Sequence, residues 1–353
     1  MINLNYPAKM TTESTGPWIP STIKYILPTV FLNDSSLSHM LTFSLSSLRA
    51  VFTYIVIAAS ASKSLAQGAN VLNTYELVQD GVNNSYQQQV PKGPTSIPQT
   101  LTFFFNKNGS TDEGIYFQKL KSELSVTFSF DDQPYNNVPQ HVTGMTFGAA
   151  SGASSTHVRA VPVINTNYYF EDTARKIFTS HPQGPVGKGV NLFMNAGLQV
   201  FLSAKPLLAA NAPKTDTSRY YYGKLRLQFN KPVNDPVISF IGLGATTNFG
   251  DKRLGFATEL ELQTPSLVLT KLSGSEEMQI DQSKTKVLHS KTPITGNCDN
   301  GAACGSVLVK GSQISTLVFN VYLRSDGGPG VWGTEKVSNS GDMWHITVSL
   351  PEQ

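Results

Sequence analysis

Several stretches of this 353-residue chain alternate between apolar and polar residues, and this period of two restricts the possible fold more than any other feature. Residues 124–130 (LSVTFSF), 225–229 (LRLQF) and 344–350 (WHITVSL) each place their apolar side chains on one face. Such alternation is typical of half-buried β-strands. Short helices are possible only over 171–180 and 190–212.

Further strands are predicted at residues 101–105, 237–241, 258–262, 305–309 and 316–323. The turn-spaced succession of short strands predicts an all-β protein, an antiparallel β-sandwich of lectin-like or jelly-roll type. In the alternating strand at the C-terminal end, Trp344 belongs to the apolar face and is predicted to lie in the core.

The segment from Val237 to Ile241 is apolar at nearly every position and follows two prolines, Pro232 and Pro236. Proline cannot donate a hydrogen bond to a sheet, so both are expected outside the strand or at its first position. A continuous apolar run is typical of a strand that is buried on both faces. This segment is therefore predicted to build the scaffold and not to bind a ligand.

The N-terminal region contains a pattern typical of a secretory signal. After Met40, Arg49 precedes about twelve mostly apolar residues, and small residues follow up to Ala66. A membrane-spanning helix is the alternative, but it needs roughly 20 apolar residues, and Lys63 ends this run earlier. We expect residues 1–39 to be a mis-assigned or disordered extension, 40–66 the signal peptide and 67–353 a single domain, with no stable membrane insertion after the signal is removed.

The charge of the chain excludes some partners. Charged residues make up 14% of the sequence, against roughly 25% in a typical soluble domain. The formal net charge is +3, and no cluster of Lys and Arg is present in the sequence. Nucleic acids are therefore not expected as partners. The composition fits an extracellular β protein.

The two cysteines, Cys298 and Cys304, lie in the loop sequence GNCDNGAACGS. In an exported protein an oxidising environment favours a local disulfide between them. Two free thiols and a zinc site are the alternatives, although the spacing exceeds that of usual zinc ligands and no second pair follows.

Catalysis has weaker sequence support than binding. Adjacent acids occur at Asp112-Glu113, Asp131-Asp132 and Glu276-Glu277, but a glycosidase needs two carboxylates positioned across a cleft. Adjacent acids on turns are usually solvated. No nucleophile elbow and no metalloprotease motif are present in the sequence. We expect no enzyme.

Aromatic side chains with polar neighbours are the best candidates for binding, because they offer contact area at a low conformational cost. The candidate ligand-binding residues are Tyr168, Tyr169, Tyr220, Tyr221, Tyr222, Asp326 and Trp332.

Each candidate has a structural alternative. The tyrosines at 220–222 lead into the strand 225–229, so at least one ring must point inward. Trp332 either plugs an end of the sandwich or is displayed by its glycine-rich loop. Asp326 could bind calcium, but one carboxylate is too little to predict a metal site. We predict no metal and no cofactor.

The segments LRLQFNKPVNDPVISFIGLGA (225–245), GFATELEL (255–262), CGSVLVKGSQISTLVFNVYLRSDGG (304–328) and GDMWHITVSL (341–350) resemble the non-repetitive, lectin-like domain of CshA-type bacterial surface adhesins. The resemblance covers about residues 220–350 and is looser before them. It implies a secreted, surface-displayed domain that binds a glycan or a host glycoprotein such as fibronectin. The rival functions are a structural or assembly module of a surface fibre and a secreted enzyme acting on polysaccharides.

Overall fold

A computed structural model of the chain describes residues 75–77, 94–106, 117–135, 144–148, 158–160, 178, 195–290, 298, 301–333 and 340–351. All of them lie within Leu65–Gln353, which forms one compact unit. Whether residues 40–66 act as a signal peptide remains a prediction, because they lie outside the described residues.

The described chain is built almost wholly from β-strands. In order they are β1 (Tyr75–Leu77), β2 (Gln99–Asn106), β3 (Phe117–Lys119), β4 (Ser125–Asp131), β5 (Met145–Phe147), β6 (Val158–Ala160), β7 (Ala196–Ser203), β8 (Arg219–Val233), β9 (Val237–Leu243), β10 (Ala245–Phe249), β11 (Lys252–Leu262), β12 (Val268–Gly274), β13 (Met278–Ile280), β14 (Lys286–His289), β15 (Ala303–Lys310), β16 (Ile314–Ser325) and β17 (Gly341–Leu350). A five-residue helix, α1 (Lys205–Ala209), follows β7.

The strands form two facing layers. Sheet 1 runs in the order β12, β15, β9, β17 and β7, with β5 and β6 beside β7 and β1 beside the end of β17. Sheet 2 runs in the order β4, β8, β16 and β11, with β10 and β14 along β11 and β13 beyond β14. Each of these pairings is antiparallel.

Strand β2 joins the two layers. Its first half, residues 99–102, pairs with β4 of sheet 2, and residues 103–105 pair with β1 of sheet 1. The strands therefore form a large continuous sheet that nearly closes into a barrel. The predicted all-β antiparallel fold is confirmed.

The core lies between the inner faces of the two sheets. The ring of Phe240 on β9 lies 6.2 Å from that of Trp344 on β17 and 6.3 Å from that of Phe319 on β16. All three side chains are buried, as the alternating pattern predicted for Trp344. The contact between Phe240 and Phe319 crosses from one sheet to the other and stabilises their packing.

Strand β9 is the fully buried strand that the sequence predicts. Each residue from Val237 to Leu243 is buried, and β15 and β17 flank the strand. Pro236 immediately precedes it, and Pro232 lies at the end of β8, where the missing N–H does not interrupt the centre of a sheet.

The sequence allowed short helices within residues 190–212, and the structure has a strand over part of this range. Ala196–Ser203 is strand β7, and only Lys205–Ala209 is helical. All eight residues of β7 are buried, because the strand lies between β17 on one side and β5 and β6 on the other. Strand pairing therefore overrides local preference here. Of residues 171–180, Phe178 alone is described.

Candidate functional site

The three consecutive tyrosines lie at the start of β8, beside a β-bulge. Tyr221 pairs with Tyr322 of β16 and Gly223 pairs with Val321, so Tyr222 is an extra residue on β8. A bulge shifts the alternation of a strand by one residue. It therefore decides which of the tyrosine rings points inward.

The bulge sends two of the rings into the protein. Tyr222 is fully buried, and its hydroxyl donates a hydrogen bond to the carbonyl oxygen of Ser203 at 2.6 Å. Tyr220 is partly buried at the end of the sandwich, where its hydroxyl donates to the carbonyl oxygen of Pro213 at 2.6 Å. These two tyrosines stabilise the fold.

Tyr221 alone of the three lies on the outer face of sheet 2. Its ring centre is 5.6 Å from that of Tyr322 on the neighbouring strand. The guanidinium carbon of Arg219 lies 3.6 Å from the centre of the Tyr322 ring, a cation–π contact. Two aromatic rings and a cation therefore lie side by side on the outer face of sheet 2, next to the bulge.

Gly223 makes this arrangement possible. Its φ is +135°, and a Cβ at this position would lie 2.9 Å from both the carbonyl oxygen of Asp131 and the Cε of Met145. A side chain would clash there and would adopt an unfavourable backbone conformation. The glycine therefore lets β4 approach the bulge closely.

The close approach of β4 brings an acid to Tyr221. The Tyr221 hydroxyl donates to Oδ2 of Asp132 at 2.9 Å, and Nζ of Lys224 lies 3.2 Å from the same oxygen. Asp132 has a φ of +53° just after β4, a conformation that aspartate tolerates better than most residues. We call the surface formed by Asp132, Arg219, Tyr221, Lys224, Glu259 and Tyr322 the tyrosine face.

The pKa values of Tyr221 and Asp132 keep the shared proton on the phenol of Tyr221. The hydrogen bond from Tyr221 and the neighbouring Lys224 lower the pKa of Asp132. Desolvation and the nearby Asp132 carboxylate raise the pKa of Tyr221. At neutral pH the aspartate is therefore charged and the phenol is neutral, which fixes the direction of the hydrogen bond.

Ion pairs hold the arginine side of the tyrosine face. Glu259 accepts from Nε of Arg219 at 2.8 Å and from Nε of Arg324 at 2.6 Å, and its side chain is only 5% exposed. Nη1 of Arg219 also lies 3.1 Å from Glu261, and Lys286 lies 3.7 Å from that residue. Several partly buried ion pairs in one network restrict side-chain motion more than isolated surface pairs do.

The sequence left open whether Trp332 is buried at an end of the sandwich or displayed by its loop, and the structure buries it. It is 2% exposed, and its Nε1 donates to the carbonyl oxygen of Ala212 at 2.9 Å. Its ring lies 5.7 Å from that of Tyr220 and 6.0 Å from that of Phe256. It closes one end of the sandwich, so no ring face is available to a ligand at this position in the structure.

Asp326 shapes the same loop. Its Oδ1 accepts from the backbone N–H of Gly328 at 2.8 Å, its Oδ2 lies 3.9 Å from Arg253, and its side chain is buried. Among the described residues, no group of three or more His, Cys, Asp or Glu is placed to hold a metal ion. Tyr168 and Tyr169, the remaining candidates, lie outside the described residues, and their binding role stays a prediction.

Cys298 and Cys304 form the predicted disulfide, with their Cα atoms 5.4 Å apart. Cys304 lies on β15, and its Sγ accepts a hydrogen bond from the N–H of Gly242. Both cysteines are buried in a small apolar cluster with Phe178, Val237 and Ile241. The disulfide therefore supports a segment packed on β9 rather than the main core.

Tyr322 and Asp132 were not predicted as site residues. The alternation of residues 316–323 contains the signal for the first of them: Leu317, Phe319, Val321 and Leu323 face the core, which leaves Tyr322 on the outer face. No such signal marks Asp132, because its contact with Tyr221 joins residues that are 89 positions apart.

The structure does not bring the described candidates, Tyr220 to Tyr222, Asp326 and Trp332, together in one loop cluster. Tyr220 and Trp332 meet at the end of the sandwich as packing residues, whereas Tyr221 lies on the tyrosine face.

No described helix is long and apolar enough to cross a membrane. No family model, curated protein or solved structure gives a significant match to this chain. The similarity to CshA-type adhesins therefore stays a prediction.

Proposed function

We propose that this chain is an exported, cell-surface adhesion domain that binds a glycan or a host glycoprotein without covalent chemistry, through the tyrosine face. The observation that carries the proposal is the pair of adjacent rings, Tyr221 and Tyr322, on the outer face of sheet 2. Tyrosine offers an apolar ring and a polar hydroxyl at low conformational cost, and both suit the C–H faces and hydroxyl groups of a sugar.

The rings are held in place before any ligand arrives. Tyr221 is fixed by its hydrogen bond to Asp132, and Tyr322 by the stacked guanidinium of Arg219, which is itself bound to Glu259. A preorganised surface loses less conformational entropy on binding. An exported location is supported by the disulfide, since such bonds persist mainly in oxidising compartments.

An assembly module of a surface fibre is the second candidate. Phe249 ends β10, at the tip of its hairpin with β11, and is 57% exposed. An exposed aromatic side chain at a hairpin tip is a suitable anchor for another protein. In this alternative Phe249 carries the interaction and the tyrosine face does not.

The test is a binding screen of the purified protein against a glycan array and immobilised fibronectin, with Tyr221→Ala, Tyr322→Ala and Phe249→Ala as variants. We expect saturable binding that either tyrosine variant weakens by roughly 30-fold, the effect of removing a hot-spot aromatic residue. Phe249→Ala is the matched control, because it removes an exposed ring outside the tyrosine face.

Circular dichroism of each variant must show the wild-type spectrum. Binding that survives both tyrosine substitutions would refute the tyrosine face as the site. If binding is lost in Phe249→Ala alone, or if the protein associates only with itself, the assembly module replaces the adhesion domain as the proposed function.

A further inference from the structure

We infer that the tyrosine face selects an uncharged glycan over an acidic one, such as a sialylated or sulfated glycan. This inference rests on the proposed function and adds the class of ligand. Two observations support it. The cationic side chains of the face are paired with carboxylates of the protein, and the most exposed charged side chain beside Tyr221 is the carboxylate of Asp132.

The arginines of the face already bind carboxylates. Arg219 and Arg324 both lie on Glu259, at 2.8 and 2.6 Å, and the glutamate is almost completely shielded from water. Their other nitrogen atoms are used or buried: Nη1 of Arg219 lies 3.1 Å from Glu261 and its Nη2 is buried, while Nη1 and Nη2 of Arg324 donate to the carbonyl oxygens of Ser325 and His289. An acidic sugar would have to draw a guanidinium away from these partners and from a buried carboxylate, which is unfavourable, so these arginines do not serve an acidic ligand.

The two cations beside Asp131 and Asp132 are paired as well. Nζ of Lys224 lies 3.2 Å from Asp132, and Nε of Arg226 lies 2.7 Å from Oδ2 of Asp131. Both cations lie on β8, and their partners are the last residue of the neighbouring β4 and the residue after it. An anionic ligand would have to compete with these carboxylates for each cation.

The most exposed ionic side chain of the face is an acid. The Asp132 side chain is 62% exposed, against 37% for Lys224 and 24% for Arg219. Asp132 accepts the Tyr221 hydroxyl with Oδ2, so a ligand stacked on the Tyr221 ring lies beside a carboxylate. Like charges repel at this range, which disfavours a sulfate or a carboxylate on the sugar.

The same carboxylates suit a neutral sugar. A carboxylate is an acceptor with about four lone-pair sites, and Asp132 uses its Oδ2 for Tyr221 and Lys224. Its Oδ1 can accept a sugar hydroxyl, and hydrogen bonds to a charged acceptor are among the strong ones. The rings of Tyr221 and Tyr322 would then contact the C–H face of that sugar.

The experiment measures binding of the full chain to matched glycans: lactose-terminated glycans, their 3′-sialylated and 6-sulfated forms, and uncharged glycans ending in N-acetylhexosamine or fucose. We expect an uncharged glycan to bind at least about fivefold more tightly than its acidic form, the effect of one unfavourable charge contact at the surface. Its affinity should change by less than about twofold between 50 and 500 mM NaCl, because no ion pair is formed with the ligand.

Asp132→Asn tests the residue that sets the preference. The amide oxygen can still accept from Tyr221 but is a weaker, uncharged acceptor for the sugar hydroxyl, so binding of the uncharged glycan should weaken by about threefold or more. Binding of the acidic form should not weaken, because the repulsion is removed, so the preference should fall to about twofold or less. Asp251→Asn is the matched control, because it removes an exposed carboxylate in the turn between β10 and β11 and should leave both affinities unchanged.

The possible outcomes separate the two proposals. Tighter binding of an acidic glycan, weakened by salt and abolished in Tyr221→Ala, would overturn the preference for uncharged ligands and leave the adhesion function standing. An unchanged preference in Asp132→Asn would also overturn the inference. Binding of no glycan in either class would refute glycan recognition itself.

Discussion

Asp342 offers a test of how burial and hydrogen bonding compete in this core. Its carboxylate lies between the two sheets and is fully buried. It accepts from the N–H of Gly244 at 3.1 Å, from the N–H of Thr258 at 2.7 Å and from the Thr258 hydroxyl at 2.6 Å. Desolvation outweighs these hydrogen bonds and raises the pKa of Asp342 from 3.8 to about 6.

The size of the effect follows from that pKa. One pKa unit corresponds to about 1.4 kcal/mol, so holding the charged carboxylate in the core at pH 7 costs about 3 kcal/mol relative to the unfolded chain. A raised carboxyl pKa means that stability is highest below pH 3.8, where the group is protonated in both states. This stability is lost as the pH rises through 6.

Asp342→Asn removes the titration while keeping the shape of the side chain. The amide oxygen can still accept from Thr258, and the amide NH₂ replaces the hydroxyl of the protonated acid. Between pH 4 and pH 7 we expect the free energy of unfolding of the variant to rise by about 2 kcal/mol relative to that of the wild type. Any constant offset between the two proteins does not affect this difference.

Urea denaturation at a series of pH values measures the effect, with Asp281→Asn as a control of opposite sign. Although desolvation raises the pKa of Asp281, hydrogen bonds from Ser283 and from backbone N–H groups lower it overall. The wild type should therefore lose stability relative to this control as the pH falls below 4. A difference between wild type and Asp342→Asn that stays constant from pH 4 to pH 7 would refute the reasoning, because the hydrogen bonds would then compensate fully for desolvation.

Three further predictions concern stability and can be measured by thermal or urea unfolding. Trp332→Ala should cost about 3–5 kcal/mol because it empties the packed end of the sandwich, whereas Tyr221→Ala should cost about 1 kcal/mol or less; equal losses would contradict the assignment of Trp332 to the core. Gly223→Ala should cost about 2 kcal/mol through strain at the bulge, and a neutral result would show that β4 can move away. Replacing Cys298 and Cys304 by Ser should cost about 2 kcal/mol, since the closed loop is short, and complete unfolding would show that the disulfide supports the whole fold.

The strands and the core could be predicted from the sequence because they depend on local patterns. Alternation within residues 344–350 places Trp344 in the core, and the continuous apolar run after Pro236 becomes the fully buried β9. Both signals arise from neighbours along the chain. The run Ala196–Ser203 alternates less clearly, because Phe201 interrupts the apolar positions Leu198, Val200 and Leu202, and its pairing with β17, β5 and β6 decides that it is a strand.

The candidate site could be predicted only in part. Tyr221 was one of three equivalent tyrosines, and alternation from Leu225 would have turned it inward. The bulge opposite Val321 reverses this direction, and it forms where Gly223 lets β4 approach. Trp332, a glycine-flanked loop residue, is buried because residues distant in the sequence surround it.

By itself, the sequence determined the secondary-structure type, the inward faces of the regular strands and the pairing of two nearby cysteines. Each of these depends on residues that are close in the chain. The tertiary structure alone decided which tyrosine lies on the outer face of sheet 2 and which acid it contacts, because the Tyr221–Asp132 hydrogen bond joins β8, at its bulge, to the residue that follows β4 and spans 89 residues. Alternation describes one strand at a time, whereas a surface on a sheet depends on the register between strands.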